Sequence, residues 1–253
     1  MRLVTGAAVA AAAFLAGSAA QATVIYSSDF EAPTYTTGLL AGQDGWATFG
    51  SGAAVTVDDG FAISGAQSAK ITGSAAGGQT GPYHGNHSAI DKITVSADIL
   101  LTSSMADRSW QFSAIGAGLV GFTGGIDIDA GTNNIRAITN GFGVIGVFSR
   151  DTVHTVDLLL DYGTSTYGVR LDGTTLATGL AFCGDNGPCN GSGPVEYDSL
   201  LFDTFGAGGG DAGYIDNILV QSTAVPEPAA WALMLAGFGL GGAALRRRKA
   251  AIA

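Results

Sequence analysis

Few side chains in this chain are spaced to do chemistry, and the acidic ones come first. Asp127-Ile128-Asp129 sets two carboxylates at alternate positions, so a strand through them carries both on one face. Paired carboxylates are the working parts of glycoside hydrolysis, about 5 Å apart in enzymes that retain configuration. The only glutamates between the two termini, Glu31 and Glu196, stand too far along the chain to join that run. Asp127, Asp129 and Asn133 also echo a calcium loop, but Gly131 falls where such a loop uses a side-chain oxygen. The stretch reads instead as a strand end entering a turn over 130–134. A second group, Tyr83-His84-Gly85-Asn86-His87, offers two imidazoles for a transition metal or for proton transfer in a polysaccharide lyase. No cysteine or carboxylate lies near them in sequence, which favours solvent-facing loop histidines. His154 opens an apolar alternation and reads as structural. There is no Gly-x-Ser-x-Gly elbow, phosphate loop or dinucleotide fingerprint. The inventory points away from an enzyme and away from an organic cofactor.

The elements that must position these residues are strands. Residues 89–101 alternate apolar and polar at period two, and 153–162 do so in part. Residues 67–72, 109–119 and 213–221 are further β-branched or aromatic runs bounded by Gly, Asp, Asn or Ser. Residues 163–165 turn the run 153–162 into a partner starting at Thr166, and Leu171-Asp172-Gly173 turns again into another strand. Glycine, 40 of 253 residues, is about twice its usual share of ~7%, as many tight turns require. Residues 73–86 and 206–210 read as loops. No helical stripe of useful length interrupts the pattern. The expectation is an all-β antiparallel sandwich of jelly-roll type.

Both termini are set apart from this domain. Arg2, an apolar stretch over 3–16 and Ala20-Gln21-Ala22 make a signal peptide, 1–22, cut before Thr23. At the other end Val225-Pro226-Glu227-Pro228 breaks any strand or helix, and 229–245 is an uncharged run of 17 residues. As a helix it would be about 25 Å long, at the lower end of what spans a bilayer. Arg246-Arg247-Arg248-Lys249 would hold that end in the cytoplasm. The segment between, 23–224, suits one β domain with six cations against twenty acids, a balance of −14. Such a domain repels nucleic acid and anionic lipid, and it disfavours acidic polysaccharides unless cations bridge the two. Cys183 and Cys189 flank Gly184-Asp185-Asn186-Gly187-Pro188 in an exported chain, so they are expected as a disulfide across a short turn.

The C-terminal order, with Pro226-Glu227-Pro228-Ala229-Ala230-Trp231-Ala232 at its head, resembles the PEP-CTERM sorting signal of Gram-negative bacteria. That resemblance implies an exosortase as partner and transient anchoring in the inner membrane by 229–245. It further implies removal of the tail and delivery to the cell surface or extracellular matrix. Within the domain, three blocks look like the concanavalin A-like lectin/glucanase superfamily, including laminin-G-like domains. They are Asp29-Phe30-Glu31 with 40–46 and 64–71; 153–162 with 166–173; and 213–220. Glucanases of this kind carry Glu-x-Asp-x-x-Glu on one strand, and that run is missing. In similar sandwiches a structural calcium ion is often held by a glutamate of the first strand and an aspartate of the last, and Glu31 and Asp216 fall at those places. If first and last strands lie side by side, two carboxylates meet there, and a cation would relieve their repulsion. The expected function is a non-catalytic surface or matrix protein that binds or packs into extracellular polysaccharide. Trp46, Trp110, Tyr83 and Tyr167 are its candidate sugar platforms or, equally, core. The alternatives are a polysaccharide lyase or hydrolase, and a stable surface domain with no small ligand.

Overall fold

The computed structural model describes residues 22–50, 55–72, 80–102, 109–116, 122–139, 143–183, 196–205, 212–223 and 238. Thr23–Thr223 form one compact unit. Its strands are β1 (Val24–Ser28), β2 (Gly38–Leu39), β3 (Trp46–Gly50), β4 (Val55–Asp58), β5 (Ser68–Thr72), β6 (Thr80–Ser88), β7 (Lys92–Leu101), β8 (Ser109–Gly116), β9 (Phe122–Asp129), β10 (Asn134–Ala137), β11 (Val144–Val147), β12 (His154–Asp161), β13 (Thr166–Leu171), β14 (Thr174–Ala181), β15 (Tyr197–Phe205) and β16 (Ala212–Ser222). All strand pairings among the described residues are antiparallel, and they build two sheets. One sheet has nine strands in the order β14-β13-β12-β7-β16-β5-β4-β2, with β1 also on β16. The other has seven, β11-β10-β9-β8-β15-β6-β3. No helix occurs among the described residues of the unit.

The alternation seen in the sequence is what packs the sheets together. In β7, Ile93, Val95, Ala97 and Ile99 are fully buried while Thr94, Ser96 and Asp98 point away. β12 repeats the pattern with Val156, Leu158 and Leu160, and its Leu158 lies opposite Val95. The core between the sheets is completed by Trp110, Phe112, Ile126, Ile128, Leu200 and Phe202. Trp110 stacks on Phe202 with ring centroids 5.8 Å apart. Burying each such aromatic contributes on the order of 2–3 kcal/mol. The fit is close enough to dictate a glycine: a Cβ on Gly213 would lie 2.4 Å from Trp110. The β13–β14 turn is made by Asp172 (φ 50°) and Gly173 (φ 75°), the left-handed pair that a two-residue hairpin needs.

The expected loop 73–86 is corrected over 80–86, which belongs to β6. Gly81 was misleading because it serves packing rather than turning. A Cβ on Gly81 would sit 2.1 Å from the Phe202 carbonyl, so only glycine lets this part of β6 lie against β15. The Asp127–Asp129 stretch ends β9 and then turns as expected, with Asn133 N–H donating to Asp129 O at 2.7 Å. No helix among the described residues is long and apolar enough to cross a membrane. The expected signal peptide and sorting tail, including Pro226, Glu227 and Pro228, lie outside the described residues except for Ala22 and Phe238.

Candidate functional site

Strand alternation sends a second set of side chains to the outer face of the seven-stranded sheet. Trp110, Phe112 and Ala114 of β8 face the core, so Gln111 and Ser113 face outward. In β15, Leu200 and Phe202 face the core, and Ser199, Leu201 and Asp203 face outward. Register then lines up a polar row across four strands: Asp203 opposite Gln111, Gln111 opposite Asp127, Asp127 opposite Arg136. Neighbouring strands are about 4.8 Å apart, so the row is roughly 14 Å long. Ser113 and Ser199 stand beside it, Tyr83 lies opposite Leu201, and Asp129 lies two residues beyond Asp127.

The charges of this face are already committed to one another. Arg136 Nε donates to Asp127 Oδ2 at 2.8 Å, and its Nη1 lies 3.3 Å from Asp129 Oδ2. Gln111 Nε2 donates to Asp127 Oδ1 at 3.5 Å, a long contact. Asp127 is almost fully buried, which pushes its carboxyl above the usual carboxylate range even though Arg136 pulls the other way. Gln111 is 8% exposed and Ser113, Ser199 and Asp203 are 0% exposed. Yet Gln111 Oε1, Ser113 Oγ and Ser199 Oγ have no hydrogen-bond partner. Buried oxygens in native proteins are nearly always bonded to protein, water or ligand, so three together call for partners beyond the side chains described. Two strand spacings put Asp203 and Asp127 roughly 10 Å apart along the backbone, well outside a retaining pair. Asp127 and Asp129, the pair the sequence offered, share one guanidinium.

A second cluster lies where β16 changes partner. Its first part, 212–215, pairs with β5 and its later part, 218–221, with β1. Between them β16 bulges at Asp216-Asn217, and Asn217 adopts φ 47°. The loop before β5 fills the fork. Ser64 N–H and Oγ–H donate to Asp216 Oδ2 at 3.0 and 3.1 Å, while Ala66 and Gln67 N–H donate to Glu31 Oε1 at 2.6 and 3.0 Å. Gly65, at φ 61°, is fixed by this: a Cβ there would lie 2.2 Å from Glu31 Oε1. Burial, with Glu31 adding repulsion, raises the Asp216 carboxyl to about 6. First and last strands thus lie side by side and bring Glu31 and Asp216 together. The groups that meet these carboxylates are backbone amides and the Ser64 hydroxyl, all donors. Among the described residues no group of three or more His, Cys, Asp or Glu is clustered to hold a metal.

The remaining candidates are structural. His84 is buried, stacks on Tyr26 at 3.8 Å, and donates from Nε2 to Asp44 O at 2.8 Å; burial lowers its pKa. It is therefore a core residue where a solvent-facing one was expected, and the side chain of His87 is outside the described set. His154 begins β12 between Asp172 Oδ2 and Ser149 O. Trp46, Trp110 and Tyr167 are core at 2%, 0% and 1% exposure, and only Tyr83 reaches a surface. Trp46 Nε1 donates to Tyr26 and Tyr35, whose hydroxyls both donate to Asp44 Oδ2, and a cavity of about 320 Å³ opens beside Tyr35 and Asp44. Cys183 bridges to Phe122, and Cys189 lies outside the described residues. Gln111, Ser113, Arg136, Ser199 and Asp203 were missed. Their signal was polar residues at period two inside apolar strands, as in Trp110-Gln111-Phe112-Ser113-Ala114.

The fold is an all-β antiparallel two-sheet sandwich of jelly-roll type, as the strand alternation in the sequence implied. Residues 224–249 match the family described as the PEP-CTERM protein-sorting motif, so the chain carries that motif and is an exported protein. No curated protein matches the sequence. Among solved structures, a sialidase is 11% identical with a TM-score of 0.56 over 71% of this chain, which spans just 17% of that protein. The conserved carbohydrate esterase of Shiga toxin-encoding bacteriophage phi24B is 15% identical (TM-score 0.55), covering 80% of this chain and 100% of its own. The carbohydrate recognition domain of Emp47p is 10% identical (TM-score 0.51), covering 81% and 98%. At these identities the likeness is one of fold.

Proposed function

We propose that this is a non-catalytic protein of the cell surface or extracellular matrix, and that the outer face of its seven-stranded sheet binds polysaccharide. The observation that carries the reading is the set of buried oxygens of Gln111, Ser113 and Ser199, unpartnered beside the Asp127–Arg136 pair. Groups that alternate donor and acceptor, as sugar hydroxyls do, satisfy such a set. Tyr83 at the margin supplies an aromatic edge for an apolar sugar face. The saccharide vocabulary of the similar folds, an esterase and a recognition domain, supports the reading without specifying a ligand. The sorting motif supports exosortase processing and transient anchoring through 229–245 with the C-terminus cytoplasmic. A calcium ion at Glu31 and Asp216, closing the fork between β1 and β5, is part of the same proposal and is structural. The test is a glycan array with the exported protein and with Ser113→Ala. Binding that the substitution weakens supports the reading. Turnover of any bound polysaccharide, or binding indifferent to Ser113→Ala, overturns it.

A further inference from the structure

We infer that a shallow trough on the outer face of the nine-stranded sheet binds a saccharide bearing a single carboxylate, with Arg170 as the group that takes the carboxylate. The trough belongs to the other sheet of the sandwich, so the inference goes beyond the saccharide-binding reading above. Strand alternation builds it. Val156, Leu158 and Leu160 of β12 and Tyr167 and Val169 of β13 pack into the core. Asp157, Leu159, Asp161, Thr166, Gly168 and Arg170 therefore face outward. In register, Leu159 lies opposite Gly168 and Asp157 opposite Arg170. Where Gly168 has no side chain, a depression of about 220 Å³ opens between Leu159 and Ala177. Arg170 and Thr175 line one end of it, and Asp161 and Thr166 the other. Four residues of strand separate Thr166 from Arg170, roughly 13 Å, which leaves room for a sugar ring between them.

Arg170 is what names the ligand. Lys70 is paired with Asp58, Lys92 with Asp161, and Arg136 with Asp127 and Asp129. Arg150 donates to Asn133 Oδ1 and to the Thr102 carbonyl. Among the described residues Arg170 is the one cation with neither an ion pair nor a hydrogen bond, and it is exposed. Its neighbour in register, Asp157, accepts from Ser96 Oγ at 2.7 Å. A guanidinium offers two parallel N–H groups, which fit one carboxylate in bidentate fashion. The rest of the trough fits a sugar. Leu159 and Ala177, both half-buried, present C–H surface to the apolar face of a ring. Thr175 and Thr178 are exposed at the rim, and their hydroxyls donate or accept as ring hydroxyls require. Every one of these groups is reached from solvent. The surrounding charge limits the ligand to one acid. Asp157 and Asp161 flank Leu159, and the domain as a whole carries −14, so a polymer with a carboxylate on every residue is repelled.

Titration calorimetry of the exported protein, in buffer free of divalent cations, tests this with three ligands of equal length. They are a neutral glucose oligosaccharide, the same oligosaccharide ending in one glucuronic acid, and an oligomer made of uronic acid throughout. The singly acidic ligand binds on the order of 10-fold more tightly than the neutral one, as charge-assisted hydrogen bonds to a carboxylate provide. The all-uronate ligand binds more weakly than the singly acidic one. Arg170→Gln abolishes the 10-fold advantage, and Arg170→Lys, which keeps the charge without the fork, retains part of it. Both variants hold the melting temperature, because the side chain is exposed and has no partner to lose. An advantage missing from the wild type, or one that survives Arg170→Gln, overturns the inference. So does all-uronate binding as tight as that of the singly acidic ligand. An acetylated glutamate that competes as well as the acidic saccharide overturns it too, because the trough then reads a carboxylate and not a sugar. Each of these results leaves the reading of the seven-stranded sheet standing, since that reading falls only by its own test with Ser113→Ala.

Discussion

Asp216 carries the most informative perturbation, because its burial and its company push in one direction. The side chain is 0% exposed, beside Glu31, with its carboxyl raised to about 6 from 3.8. A raised acid binds its proton more readily in the folded state than in the unfolded one. Its contribution to stability is therefore fully present below about 4 and is lost as pH rises through about 6. A shift of about two units corresponds to roughly 3 kcal/mol, or about 6–12 °C in a domain of this size. His84, lowered by burial, works in the opposite direction near this window, and Asp127, raised, works in the same one. The readout is therefore the difference in melting temperature between wild type and Asp216→Asn, in which those two contributions cancel. Without divalent cations, that difference moves by several degrees in favour of the wild type between pH 7.5 and pH 4.5. The calcium proposal adds a second arm. At pH 7.5 calcium at a hundred times its dissociation constant adds about 2.7 kcal/mol to the wild type, and chelator removes it. Asp216→Asn responds to neither. A wild-type-minus-variant difference flat with pH would refute the buried-charge argument. A calcium response that survives in Asp216→Asn would refute the ion site.

Three further outcomes are expected. Gly213→Ala forces a Cβ to within 2.4 Å of Trp110, and thermal melts should show a loss of about 1–3 kcal/mol; an unchanged melt would mean the sheets separate there at no cost. Mass spectrometry of protein released from the cell surface should recover neither 1–22 nor 246–249, and retention of Arg246 to Lys249 would count against processing. Peptide mapping under non-reducing conditions should yield Cys183 linked to Cys189, whereas two alkylatable thiols in the exported protein would rule the bond out.

The sheets could be read in the sequence where one face of a strand is apolar and the other polar. β7 and β12 did this cleanly, since Ile93, Val95, Val156 and Leu158 alternate with hydroxyl and acidic residues. β6 could not be read, because Gly81 and Gly85 look like turn residues and the packing role of Gly81 depends on β15, far along the chain. The site was hidden for a related reason. Asp127 and Asp129 were visible as a pair, but Arg136 is seven or more residues away and Gln111 and Asp203 come from different strands. Register assembles them, and register is a property of the whole sheet. Glu31 and Asp216 were placed by resemblance to known sandwiches, and what sequence could not give was the loop of amides between them.

The order of strands has a consequence for how the protein is made. β16 lies between β7 and the pair β1 and β5, while β15 lies between β8 and β6. The last two strands of the domain are thus the interior members of its two sheets, and each joins pieces that earlier synthesis leaves unconnected. A chain synthesised from its N-terminus cannot close either sheet until residues 197–222 have been made. Pairings this distant in sequence also fold slowly. The domain is thus completed by strands that lie just ahead of the sorting motif at 224–249.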